Sequence, residues 1–339
     1  MRARSILAAL AGVAALGAAT TQPPQRLTET GLYAGRGTAV VDARNRPFSP
    51  QYPLWTDGAV KSRWIFIPDG TTIDTTDPFR WSFPVGTKLW KEFAFGGKKV
   101  ETRLVWKTGQ DAWLFASYVW NDEQSEAYLA PEEGVPNVAE VAPGRFHSIP
   151  ARTDCVACHR GGKGESLGFD ALQLSDDRDP AAPHAEPLRP GMVTLRSLVD
   201  EGRLVPDRRE WVEHPPRIEA ATPRERAALG YLAANCGACH NSHGPLARLG
   251  LVLAHEPGSA VFRSTVDVAG IYAVPGIAPE RSRRIAPGAP ENSALLHRMK
   301  SRRPMSQMPP LGTVVADAEA IELIRGWIAD DLPASGAAR

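Results

Sequence analysis

Four short runs in the first half of the chain, at residues 62–68, 88–95, 100–107 and 113–120, carry β-branched and aromatic residues in partial period-two alternation. That spacing predicts strands with one side turned to a core. Turn formers separate the runs, at Pro68-Asp69-Gly70, Pro84-Val85-Gly86 and Phe95-Gly96-Gly97-Lys98. Several short strands joined this way predict an antiparallel β-sandwich. Seven of the nine tryptophans (Trp55, Trp64, Trp81, Trp90, Trp106, Trp113 and Trp120) fall here. Tryptophan at alternate strand positions is more often core than binding platform, so the aromatic richness is read as packing. The strand pattern fades at 131–143, where Glu132-Glu133 reads as a solvated turn.

Further on the period becomes helical. Thr194 can cap a short helix over 194–202. Thr222-Pro223-Arg224-Glu225 reads as a capping box, opening a helix that runs into Cys236 with Ala228 and Leu232 one and two turns before it. Asp317 can cap a closing helix to about Leu332, stopped by Pro333, with Ile321, Ile324, Trp327 and Ile328 as its apolar stripe. The whole predicts a multidomain α+β chain. Its expected parts are a signal peptide (1–19), a linker (20–50), an aromatic-rich β domain (51–139), a connecting segment (140–215), an all-α domain (216–333) and a tail (334–339). The connecting segment has too few periodic apolar positions for a domain of its own and is expected to borrow walls from its neighbours.

Composition adds the chemistry. All four cysteines lie in two copies of one pattern, Cys155-Val156-Ala157-Cys158-His159 and Cys236-Gly237-Ala238-Cys239-His240. Residues i and i+3 of a helix share a face. Two such thiols can reach the two vinyl groups on one edge of a porphyrin, and the next histidine can ligate its iron. A zinc ribbon wants its pairs roughly 15–20 residues apart, whereas 77 residues separate Cys158 from Cys236. A redox dithiol needs no histidine after it in two places. The expected cofactors are therefore two covalently attached c-type haems.

A stable low-spin haem needs a sixth ligand, and a thioether raises its potential. Met308, held extended by Pro309-Pro310, is the expected partner of His240, with Met305 as its competitor. For the haem at His159 the sequence offers Met192, His184, His147 and His214, or no ligand at all. No paired carboxylates and no Ser/His/Asp arrangement stand at a convincing spacing.

The N-terminus has Arg2 and Arg4, an apolar run from Ile6 to Ala18 and small residues Gly17-Ala18-Ala19, the pattern of an export signal. Its run is shorter than the roughly 20 residues that span a bilayer. Of 39 Lys and Arg against 38 Asp and Glu, removing Arg2 and Arg4 leaves a nearly neutral chain. Nothing in that balance favours nucleic acid.

On these motifs the C-terminal third resembles the class I cytochrome c domain: helix, Cys-x-x-Cys-His, a methionine loop at Met308-Pro309-Pro310-Leu311-Gly312, and a closing helix. The mature chain as a whole resembles a family of exported bacterial dihaem c-type cytochromes. The phrases that carry this are Tyr52-Pro53-Leu54-Trp55-Thr56-Asp57-Gly58-Ala59, Asp154 to His159 with Leu167-Gly168-Phe169, and Asn235 to Asn241. The resemblance implies electron transfer in the periplasm, with a periplasmic or membrane-bound redox partner. It supports His240 and Met308 as one ligand pair. The alternatives are a dihaem peroxidase and a haem-based redox or gas sensor, both needing an open iron at His159.

Overall fold

A computed structural model describes residues 22–35, 37–161, 166–258 and 260–332. The expected signal peptide and tail lie outside the described residues. In chain order the strands are β1 (Arg46–Pro47), β2 (Val60–Phe66), β3 (Ile73–Asp74), β4 (Lys88–Phe95), β5 (Lys98–Lys107), β6 (Trp113–Trp120), β7 (Ala127–Leu129), β8 (Val135–Ala142), β9 (Arg145–Ile149) and β10 (Leu204–Val205). The helices are α1 (Arg152–His159), α2 (Leu195–Asp200), α3 (Glu210–Glu213), α4 (Pro223–Asn235), α5 (Ala260–Thr265), α6 (Ala294–Lys300) and α7 (Ala318–Gly326). The chain is mixed α+β, and its four expected strands are β2, β4, β5 and β6.

Those strands join β1 and β7 in one antiparallel sheet of order β1-β2-β4-β5-β6-β7. The expected sandwich is not formed among the described residues, where the other two sheets have two strands each and neither makes a second layer of comparable size. Both faces carry apolar residues, and non-sheet segments cover them. Ile65, Leu89, Val105 and Phe115 pack on one side against Phe48, Phe169, Leu174, Leu195 and Leu198. Trp90, Leu104, Ala116 and Tyr118 pack on the other against Leu27, Leu32 and Tyr33.

The stretch expected as a linker is built into the fold over its described residues, 22–35 and 37–50. Leu27 and Leu32 have no exposed surface, and burying a leucine is worth about 1.5–3 kcal/mol. Polar anchors fix the same segment: Trp90 Nε1 donates to Thr30 Oγ1 at 3.0 Å, and Thr28 Oγ1 donates to Glu126 at 2.6 Å. Too few apolar residues occur in a row there for a periodicity to show.

The pattern that fades at 131–143 resumes as a separate antiparallel hairpin, β8 with β9. It feeds α1, which carries the first Cys-x-x-Cys-His. Cys155 and Val156 pack against a cluster built jointly from the sheet, with Ile65, Leu89 and Val105, and from the connecting segment's own Phe169, Leu174, Leu195 and Leu198. Thr194 caps α2 as expected, accepting from the Ser197 amide.

At α4, Thr222 Oγ1 accepts from the Glu225 amide at 3.0 Å, while Glu225 reaches back to the Ala221 amide at 2.9 Å. The cap thus closes one residue earlier than a strict capping box. Glu225 also accepts from Trp327 Nε1 at 3.1 Å, tying the start of α4 to the end of the chain. Ala228, Leu229 and Leu232 of α4 pack on Ala320, Ile324, Trp327 and Ile328. Asp317 caps α7 through the Ala320 amide, and the helix passes into a π-helical turn at Trp327–Asp331.

Candidate functional site

The two Cys-x-x-Cys-His stretches, far apart in sequence, meet in space. The first is the last turn and a half of α1, and the second follows directly from α4, with Cys236 as its C-cap. The thiols of Cys158 and Cys239 lie close enough to act on one another, which pushes Cys158 up and Cys239 down. Asn241, with no exposed surface, fixes the contact. Its Nδ2 donates to the carbonyl of Gly161 at 3.0 Å and to Gly237 and Ala238 at 2.9 and 3.1 Å. Its Oδ1 accepts from the amides of His243 and Gly244. Glycine is required on both sides of this contact, since a Cβ at Gly161 would collide with the Ala238 carbonyl and one at Gly244 with the Gly161 carbonyl.

A cavity of about 900 Å³ opens beside the contact, lined by Cys155, Cys158, His159, Cys236, Cys239 and His240 together. That is near the upper end of the 300–1,000 Å³ usual for a small-molecule site. The thiols flank this space instead of converging: among the described residues no three His, Cys, Asp or Glu side chains gather where they could hold one metal ion. The His159 ring lies 5.0 Å from that of Phe115. His240 is buried and its Nδ1 has no hydrogen-bond partner. Burial, with Arg298 and Arg284 nearby, holds its pKa below the ordinary 6.5, which favours the neutral imidazole that ligates metals.

Met308 lines the same cavity, and its amide is anchored to the Arg298 carbonyl at 3.0 Å. Met305 is 89% exposed. The four donors considered for His159 do not line the cavity. His147 is buried between Asp57 (3.3 Å) and Glu101 (3.4 Å). His184 bonds Asp317 at 2.9 Å, Met192 accepts from the Arg189 amide, and His214 caps α3. Two donors that the sequence reading missed do line the cavity, Met299 and His255. Met299 sits at an apolar position of α6, where a ligand and a core residue give the same pattern.

The phrase from Tyr52 to Ala59 straps the sheet to the C-terminal half. The Tyr52 ring fills the place of a side chain at Gly230 in α4, and its hydroxyl donates to Asp179 at 3.0 Å. The Trp55 amide donates to Asn235 and its Nε1 to the Val315 carbonyl. Asp57 accepts from the amides of Val314 and Val315 at 2.7 and 2.9 Å. The segment just after the Met308 loop is thus held by the sheet domain.

No protein-family model, curated protein or solved structure matches the chain.

Proposed function

We propose that the chain is a dihaem c-type cytochrome that carries electrons between redox partners. The observation that supports this most is the meeting of both Cys-x-x-Cys-His stretches at one cavity. The residues present fit two haems. Each motif offers two thiols and a histidine on the cavity wall, and the buried Nδ1 of His240 lacks a partner. The flanking surface is largely apolar, with Leu89, Val105, Phe169, Leu253 and Met299 among it. Each haem, when bound, supplies a one-electron iron couple.

The chain's own part is to hold and tune. Cys155, Cys158, Cys236 and Cys239 would carry the thioether bonds, and His159 and His240 would ligate the irons. Met308 would share the ligation of one iron with His240. Cavity walls exclude water, which lets ligand identity and neighbouring charge set the potentials. The proposed setting is the periplasm, on the strength of the N-terminal export pattern. The partner would be a periplasmic or membrane-bound redox protein, and among the described residues no helix is long and apolar enough to cross a membrane.

A second reading, a dihaem peroxidase or a redox or gas sensor, draws on one observation: none of Met192, His147, His184 and His214 lines the cavity that His159 faces. The deciding experiment is expression of the full chain in a host that matures c-type cytochromes. The carrier reading expects two covalent haems by pyridine haemochrome and mass, one in a Cys155→Ser/Cys158→Ser variant, and two low-spin ferric signals. A chain without covalent haem would defeat both readings. A high-spin haem assigned to His159, with rapid peroxide turnover, would favour the enzyme.

A further inference from the structure

The loop that carries Met308 is not held by packing: none of residues 303–312 is buried. Its ends are fixed, by α6 on one side and on the other by Asp57, which accepts from the amides of Val314 and Val315. Between them Pro309 and Pro310 bring no amide, so Met308 is the last backbone donor before Leu311. Within the loop, the amides of Ser306 and Gln307 turn back on the Arg303 carbonyl, and Gln307 Nε2 donates to the carbonyls of Pro309 and Pro310. Those bonds shape the turn but do not place it.

One residue places it. Among the described residues, and apart from a bond to the adjoining Ser301, every hydrogen bond from residues 303–312 to the rest of the protein goes to Arg298. The Met308 amide donates to the Arg298 carbonyl at 3.0 Å, and Arg298 Nε donates to the Ser306 carbonyl at 3.1 Å. The first bond uses one of the carbonyls that the last turn of α6 leaves free. The second depends on where the guanidinium lies. It has no carboxylate within ion-pair distance among the described residues and rests over the ring of Tyr272, 4.9 Å from the ring centre. Arg298, Tyr272 and Met308 all line the cavity. The Arg298 charge is also near enough to His240 to act on its imidazole, so this clip stands on the side of the second motif.

We propose that Arg298, seated on Tyr272, is a positioning residue that sets the Met308 sulfur for the iron of the haem attached at Cys236 and Cys239. This rests on the dihaem reading and on Met308 as a ligand. A thioether is a neutral, weak donor, and a loop already in place loses less freedom when it binds. Loosening the clip leaves the haem attached, because Cys236, Cys239 and His240 are not on the loop, and weakens one ligand alone.

The test is titration of added imidazole against the ferric full-length holoprotein, wild type and Arg298→Met, followed at the methionine–iron charge-transfer band. Imidazole competes with Met308 for one position on the iron, so its affinity reports how firmly the sulfur is held. Haem content is measured first on the wild type. If no covalent haem is present, it is the dihaem reading that has failed, and a band that survives Met308→Ala overturns the role of Arg298 together with the ligand. With both in place, Arg298→Met should keep two haems and bind imidazole at the haem of His240 about tenfold more tightly, the scale of one lost hydrogen bond to a charged group. The haem of His159 should behave as in the wild type. Arg298→Lys, which restores a charged donor, should return the affinity towards the wild type. An Arg298→Met protein with the wild-type band and imidazole affinity overturns the proposal, and so does an Arg298→Lys protein no closer to the wild type than Arg298→Met. Should Arg298→Met fail to fold, Tyr272→Leu, which removes the ring under the guanidinium, is read in the same way: tighter imidazole binding at the haem of His240 supports the clip, and unchanged affinity overturns it.

Discussion

Single residues decide the site more than any element does. The two methionines of the C-terminal loop stand three residues apart, yet one lines the cavity and the other is 89% exposed. The Met308→Ala holoprotein should keep both haems, lose its methionine–iron charge-transfer band and fall in potential, while Met305→Ala should change neither. Survival of the band in Met308→Ala would falsify the assignment, and Met299, on the same cavity, would be the next residue to replace. The thiols and histidines were legible in the sequence because their spacing is local: a covalent attachment needs i, i+3 and i+4 on one turn. The row of Arg63, Lys91 and Arg103 on the cavity wall was not, because the three become neighbours only through strand pairing, and each alone looks like a charge on a solvated strand face. Met192 and His184, two of the open alternatives for His159, do not line the cavity. Nearness in sequence to Cys155 does not say which way a side chain faces.

At the scale of elements, one buried charged chain runs from the sheet to the C-terminal segment: Arg103, Glu101, His147, Asp57, then the amides of Val314 and Val315. Burial works against charge on Glu101, but Arg103 and His147 outweigh it and hold this carboxylate down at about 2. Burial likewise works against the imidazolium of His147, and Asp57 and Glu101 outweigh it, raising its pKa above 6.5. The signs are opposite. Stability from Glu101 is present above its ordinary 4.5 and is lost as pH falls towards 2. Stability from His147 is complete below 6.5 and is lost as pH rises through its raised value. Both contributions are whole between about 4.5 and 6.5. The His147→Gln variant should lose about 3–5 kcal/mol in that window, as when one partner of a buried pair is removed. It should also lose the decline on the alkaline side, which urea unfolding at a series of pH values would measure. The strands that carry this chain were readable from alternation. Its endpoints were not, since β9 lies in a stretch whose prolines and glycines hide its period, and Asp57 reaches the C-terminal segment from a turn.

For the molecule as a whole, the sequence shows two separate Cys-x-x-Cys-His stretches, one with a helical surround and one without, and the fold brings both to one cavity. The N-terminal sheet, the connecting segment and the C-terminal helices each supply part of one cavity wall, so neither half encloses it alone. Between the two motifs themselves the joint is small. Asn241 accepts two amides from its own turn and donates across to the carbonyl of Gly161, the second residue after the first motif. Leucine at this position matches its size but offers no hydrogen bonds, and the fully buried Gly161 carbonyl contact would be left unmade at a cost of about 1–3 kcal/mol. The local helices α1 and α4 do not depend on that bond, so both haems should still attach in Asn241→Leu. Their mutual arrangement does depend on it. Interaction between the two haems, read as exciton splitting in the Soret circular dichroism and as the separation of their midpoint potentials, should therefore weaken while each haem keeps its own axial-ligand spectrum. If the splitting and the separation are the same as in the wild type, Asn241 is not what sets the two sites in register. The strap from Tyr52 to Asp57 and the closeness of Cys158 to Cys239 would then have to do so.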